Sequence, residues 1–286
     1  MRHSGWMTLL AAACLTACSS GDEPVKTEAP RLMTVEVTER PMDDDGAAES
    51  ATSRAAAVTT TASLSSFSMN YQDNPYDFEK TGSTWNTPTW PGVGSDVKID
   101  FYAYTHGTFN YNSGNPYVTF TVENEPSSQQ DLLVAERKQI SFKDESGKVS
   151  LTFDHACAAV LFKVQITKTL RTQLDHDLTV NSIVLRNVNN AGYYHYDSKS
   201  WSDLSGNAYY TLTNSDITVG TSEQELSSKY LFMIPQTRTA NGITGTYLEI
   251  NYTNSESKQA TIPLNIDWQS GKCYTTTIKL GTNLIK

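Results

Sequence analysis

The stretch that most constrains this chain is Val149 to Ile166, VSLTFDHACAAVLFKVQI. Val149, Leu151 and Phe153 fall on one face of an extended backbone, and Ser150, Thr152 and Asp154 on the other. Period-two alternation marks a strand with one buried and one wet face. The pattern breaks across His155-Ala156-Cys157-Ala158-Ala159 and resumes in the opposite phase with Val160, Phe162, Val164 and Ile166. A one-residue phase change turns every side chain to the other face, so the break predicts a bulge or a strand that switches sheets. The small residues at the break would suit a helix, but flanks rich in Val, Phe, Thr and Ile favour the sheet. The reading is two linked strands or one long bent strand.

The same grammar runs through the rest of the chain. Val97 to Tyr104 (VKIDFYAY), Tyr117 to Val122 (YVTFTV) and Leu178 to Val188 (LTVNSIVLRNV) alternate, as do Thr246 to Tyr252 and Ala260 to Ile266. Gly, Asn, Ser and Asp turns separate them, and no helical period of useful length appears. Asp131 to Ala135 follows a Ser/Gln/Pro loop and leads to Ile140-Ser141-Phe142, read as a last edge strand. Short strands with short connections describe all-β Greek-key β-sandwich architecture with antiparallel sheets. The length left after a leader, 286 − 17 = 269 residues, exceeds one sandwich of about 100 residues. Two sandwiches are therefore expected, at 55–145 and 146–286, after a tether at 18–54.

Met1 to Ala17 reads as a secretion signal: Arg2 and His3 precede an apolar core, Leu9 to Leu15, too short to span a bilayer. Leu15-Thr16-Ala17-Cys18 matches a bacterial lipobox, which makes Cys18 the lipidated N-terminus and the outer membrane the anchor. The competing reading is an ordinary signal peptide that happens to contain a cysteine. Export permits disulfides. Of the 4 Cys, Cys157 and Cys273 remain for the fold, either bridged to each other or left as buried thiols. The tether is polar and acidic, and Asp43-Asp44-Asp45 reads as solvated linker because it lacks the spacing of a calcium loop. Its exception is LMTVEVTE, Leu32 to Glu39, where Met33, Val35 and Val37 alternate with Thr34, Glu36 and Thr38. A lone strand is unstable in water, so this one must pair with the body as an edge strand.

Several function classes drop out. A net charge of −9 disfavours nucleic acid, which requires a basic stripe. His106, His155, His176 and His195 are scattered, with no nucleophile, phosphate-loop or metal motif around them. No catalytic residue, metal site or cofactor is expected. Asp154 and His155 are strand neighbours, point to opposite faces and cannot share a site directly, so His155 reads as a structural residue of the bulge. Trp85 and Trp90 lie in the turn-rich segment TGSTWNTPTWPGVGSD. They could form a sugar-stacking platform, but aromatic residues in such turns more often close a core.

Phe101-x-Ala103-Tyr104, Asp131-Leu132-Leu133-x-Ala135, Val149-x-Leu151-x-Phe153-x-His155, Ile234-Pro235-Gln236 and Trp268-x-x-Gly271-Lys272-x-Tyr274 follow one another in this order. This ordered set, behind a lipobox, resembles the fimbrillin (Mfa-like) family of surface lipoproteins in Bacteroides-type bacteria. The resemblance implies two tandem transthyretin-like sandwiches and a role as a subunit of adhesive fimbriae, with other subunits as partners. It further implies assembly by strand exchange, in which a protease cuts after an Arg, an N-terminal strand leaves and a neighbour's strand replaces it. Met33, Val35 and Val37 then mark the displaced strand, held by one ladder and about three buried side chains. The bond between Arg54 and Ala55 marks the cut, since exposed loops of small polar residues are where nicking concentrates. Arg40 is shielded by Pro41, and Arg31 precedes the strand. The short run after Leu280 makes a tip or accessory role at least as fitting as a shaft role. The alternative is a stand-alone glycan-binding surface lipoprotein whose strand stays in place.

Overall fold

Val149 to Ile166 forms two strands, Lys148–His155 (β10) and Ala158–Ile166 (β11), that belong to different sheets. The computed structural model describes residues 29–44, 64–227 and 229–285; Cys18, Arg54 and Ala55 lie outside them. β10 keeps its alternation through His155, so Val149, Leu151, Phe153 and His155 are all buried on one face. β11 is buried on both faces over Ala158–Phe162. The backbone changes sheets at Ala156-Cys157, which explains the phase break.

β10 lies in a seven-stranded sheet. Its order is β1 (Thr34–Glu39), β10, β9 (Leu133–Ile140), β6 (Ile99–Tyr104), β3 (Ser66–Tyr71), β4 (Asn74–Thr81) and β5 (Thr84–Trp85). β11 lies between β17 (Gln224–Glu225) and β23 (Lys272–Leu280), with β2 (Asp43–Asp44) beyond β23 and β18 (Leu231–Met233) also on β11. A third sheet runs β15 (Ala208–Thr213), β12 (Leu178–Val188), β20 (Tyr247–Asn254), β21 (Glu256–Pro263), with β16 (Ile217–Val219) on β12. A fourth runs β14 (Ser200–Ser205), β13 (Ala191–His195), β8 (Asn115–Thr121), β7 (Thr108–Asn112), and β19 (Gln236–Arg238) pairs with β22 (Ile266–Trp268).

Two hydrophobic cores organise these sheets. The first joins Phe67, Met69, Phe78, Ile99, Phe101, Leu133, Val149, Leu151 and Phe153 under Trp90. The second gathers Val118, Phe120, Val160, Phe162, Val180, Ile183, Leu185, Ile250 and Ile278, among others. Adjacent residues of one strand serve both. Phe101 and Ala103 enter the first core, and Tyr102 between them enters the second. Such a strand, buried on both faces, ties the cores together, and the described residues from Arg31 onward form one compact unit.

Several expectations change here. The cores do not part at 145/146: β10 completes the first, and the β7–β8 hairpin pairs with β13 through Tyr194↔Val118 and its neighbours. The sheets are not purely antiparallel, since β1 pairs parallel with β10 and β11 pairs parallel with β23 from Ala159↔Cys273 to Ile166↔Leu280. Parallel pairs arise where the chain returns to a sheet after a long excursion rather than through a tight hairpin. Ile140 ends an interior strand, and Ser141 instead caps a short helix, Phe142–Glu145, its Oγ accepting from Asp144 N–H at 3.2 Å. Asp43 and Asp44 are strand residues on β23, not free linker. Cys157 and Cys273 are separate buried thiols. Trp90 is buried against Phe101 and Phe142, and Trp85 packs edge-on to Phe67, so both close the first core.

Candidate functional site

The candidate site is the edge of the seven-stranded sheet occupied by β1. Alternation in Leu32 to Glu39 sends Met33, Val35, Val37 and Glu39 inward and Thr34, Glu36 and Thr38 outward. Met33 is fully buried, whereas Val35 and Val37 are half-buried against the first core. The parallel ladder runs from Thr34↔Lys148 to Glu39↔Phe153. The outer face carries light, solvated contacts: Glu36 to Lys148 at 2.5 Å, Thr38 to Thr152 at 3.0 Å, and Arg40 to Asp154 at 2.5 Å. Exposed pairs of this kind contribute little.

The strand is tied at more than its ladder. Met33 N–H donates to Pro88 O and Trp90 N–H to Arg31 O, both at 2.7 Å, which wedges the strand's start between the Trp90 loop and β10. Thr34 N–H donates to Gly147 O at 2.9 Å. Gly147 has φ +81°, and a Cβ there would stand 2.5 Å from Leu32 O, so the strand comes this close only because the residue is glycine. Beyond Arg40 the chain crosses to the other sheet. Asp43 N–H donates to Gly271 O at 2.8 Å, and Met42 packs on the second core with its Sδ 3.7 Å from Cys273 Sγ. Residues 31–44 thus form a strap over both sheets.

Under the strap's middle lies a buried ionisable cluster. His155 Nδ1 is 2.5 Å from Asp131 Oδ2, with side-chain exposures of 1% and 0%. Glu39 Oε1, from the strap, stands 3.8 Å from His155 Nε2. His155 Nε2 is buried without a hydrogen-bond partner among the described residues. Burial disfavours the charged imidazole, but Asp131 first, then Glu39 and Asp154, outweigh it and hold the His155 pKa above its ordinary value. Burial likewise pushes the Asp131 carboxyl up, with His155 opposing. Neighbouring Cys157 is driven well up by burial and by the Asp131 charge. A thiol so shifted stays protonated. The cluster can clasp a chain.

Of the residues singled out from sequence, Met33, Val35 and Val37 come together on this edge, and His155 stands at its end. Asp131, Glu39 and Gly147 were not singled out for the site. One signal could have found the acids: Asp131 and Glu39, like His155, occupy the inward phase of an apolar row. A buried polar group needs a partner.

A second surface feature is aromatic. Tyr117 and Tyr193, on adjacent strands β8 and β13, stack at 5.2 Å with His195 alongside at 5.6 Å from Tyr117. His195 Nε2 lies 2.8 Å from Ser202 Oγ. Among the described residues no helix is long and apolar enough to cross a membrane.

Comparison with known proteins closes the question of kinship. A family model described as fimbrillin-like matches residues 42–286. No curated protein matches the chain. Among solved structures, a fimbrial protein from Bacteroides vulgatus is similar with a TM-score of 0.58 at 20% identity, covering 90% of this chain and 96% of that one. A candidate cell adhesion protein from Parabacteroides distasonis is similar at TM-score 0.52 and 8% identity, covering 88% and 90% respectively. One from Bacteroides eggerthii reaches 0.50 at 14% identity, covering 88% and 86%. At these identities the likeness is one of fold. The family match spans most of the chain, and on that ground the protein belongs to the fimbrillin-like family.

Proposed function

We propose that this protein is a structural and adhesive subunit of cell-surface fimbriae. It is held at the outer membrane by lipid on Cys18 and joined to other subunits by strand exchange after cleavage between Arg54 and Ala55. The observation that carries this reading is the position of β1: an edge strand, paired on one side, with an alternating inward face over the first core. Removing such a strand opens backbone donors, acceptors and side-chain pockets that another chain's strand can fill. The fimbrillin-like family supports the fimbrial role, and the two cores support a reading as two sandwich bodies that share strands.

The run after β23 favours an accepting role. Leu284 and Ile285 N–H both donate to Gly281 O, and Ile285 is buried in the second core, so this segment is not poised to leave as a donor. A tip or accessory position therefore fits at least as well as the shaft. A surface glycan or protein would be the adhesive ligand.

The alternative, a stand-alone glycan-binding lipoprotein, draws support from the strap's extra ties at Pro88–Trp90 and Gly271, and from the stacked Tyr117–Tyr193 pair. Mass spectrometry of protein taken from the cell surface separates the two. An N-terminus at Ala55 is expected for the assembled subunit. An N-terminus fixed at lipidated Cys18 in every surface form would reject strand exchange in favour of the alternative.

A further inference from the structure

The edge that β1 fills ends in an imidazole, not in an apolar pocket. Three inward positions, Met33, Val35 and Val37, meet the first core, and the fourth, Glu39, meets buried His155. Asp131 fixes the ring by taking Nδ1, which leaves Nε2 turned to the strap with no hydrogen-bond partner among the described residues. The other charges about this ring are Asp154 beside it, with Arg40 and Lys199 paired to Asp154, and the Cys157 thiol behind Asp131. A charged ring buried here is incompletely satisfied by Asp131 alone. An apolar side chain opposite Nε2 would seal it from water and offer nothing in return.

We propose that His155 selects the strand admitted to this edge: the partner it fits carries three alternating apolar residues and then, two positions on, an inward carboxylate in the place of Glu39. This inference rests on the strand-exchange reading and specifies what the exchanged strand must look like. It also makes seating of the strand a matter of pH. The carboxylate meets an imidazolium while the ring is charged and a neutral ring once it has titrated, so the preference for an acidic strand fades as pH rises.

The test uses the full mature chain, cleaved between residues 45 and 63 at Arg54 or, if that bond resists, at an inserted protease site. Labelled peptides of residues 31–44 compete for the edge, with Glu39 as it stands, Glu39→Gln and Glu39→Leu. The Glu39 peptide should seat about fivefold more tightly than the Glu39→Leu peptide, the scale of a charge pair at 3.8 Å without a hydrogen bond. Glu39→Gln should fall between them. In the His155→Gln protein the preference for Glu39 should vanish; should that variant fail to fold, the peptide series on the unaltered chain decides alone. Equal seating of all three peptides overturns the inference while leaving strand exchange intact. If no peptide enters, strand exchange itself fails and the inference falls with it.

Discussion

Gly147→Ala should loosen the N-terminal strap far more than its backbone strain accounts for. At φ +81° an L-residue incurs about 1–2 kcal/mol of strain. The new Cβ would also stand 2.5 Å from Leu32 O and 2.9 Å from the Phe142 ring. The ring can turn aside, but the carbonyl belongs to the strap's own backbone and must move with it. That movement strains the Thr34–Gly147 bond and draws Met33, now fully buried, out of the first core. Burial of such a side chain contributes about 1.5–3 kcal/mol, and a backbone hydrogen bond about 1 kcal/mol. The expected local loss is about 3.5–6 kcal/mol on adding these terms to the strain. Gly114→Ala is the matched control, because Gly114 has φ +87° and its Cβ would meet nothing within 4 Å. Hydrogen exchange of a peptide covering residues 33–40, read by mass spectrometry, reports the strap directly. Protection should collapse in Gly147→Ala and persist in Gly114→Ala. Equal protection in the two variants would show that the close approach at Leu32 does not hold the strap.

The cores give a second prediction: Phe153→Ala and Phe162→Ala should each cost about 3–5 kcal/mol in denaturant unfolding, since Phe153 is fully buried in the first core and Phe162 is 3% exposed in the second. A loss under about 1 kcal/mol for both contradicts the packing. Cys18→Ala should release the protein from outer membranes, and sedimentation of the variant with membranes in high salt would refute lipid anchoring. Limited trypsin digestion should cut at Arg54 before Arg31 or Arg40, whose backbones are bonded to Trp90 and Phe153; resistance at Arg54 removes the proposed cut. A fifth concerns pH. The folded His155 pKa is raised above its ordinary 6.5, so its contribution is full below that value and is lost as pH rises through the folded value. Strap protection should therefore weaken as pH rises above 6.5 and through the raised folded value, and a flat profile in the unaltered protein speaks against the charged ring.

Much of this architecture is legible in residue order because alternation is a local property. The inward row of Val149, Leu151 and Phe153, the phase break at Ala156-Cys157 and the edge row of Met33, Val35 and Val37 all follow from period two. Partners are not local. Nothing in TVEVTE states that it lies parallel to β10, 114 residues away as Thr38 and Thr152 meet. The division of the cores was hidden for the same reason. Tyr102 and Phe101 read as one strand's two faces, but only the fold reveals that both faces are dry. Trp85 and Trp90 were open to two readings from their turn-rich surroundings, and their contacts with Phe67, Phe101 and Phe142 settle them as core.

The cluster at His155 illustrates where local reading stops and where it could have gone further. Asp131, Glu39 and His155 each extend a row of inward apolar residues by one ionisable step, at three distant points of the chain. Taken singly, each looks like the frayed end of a strand. Together they must meet, because three inward-facing ionisable groups at the ends of neighbouring strands have nowhere to go but toward one another. Their meeting point is also where the chain leaves the first core for the second, at Ala156. The strap crosses at the same place, from β10 to β23. A contact that reports on the strap is thus built into the joint between the cores: removing Glu39 with its strand takes one carboxylate from His155 and lowers the ring's hold on its proton. If the strap leaves during assembly, the ring should titrate at lower pH in the open form than in the closed one, and histidine NMR on the chain before and after strap removal measures that difference. No change on removal would mean that Glu39 and His155 are neighbours without coupling.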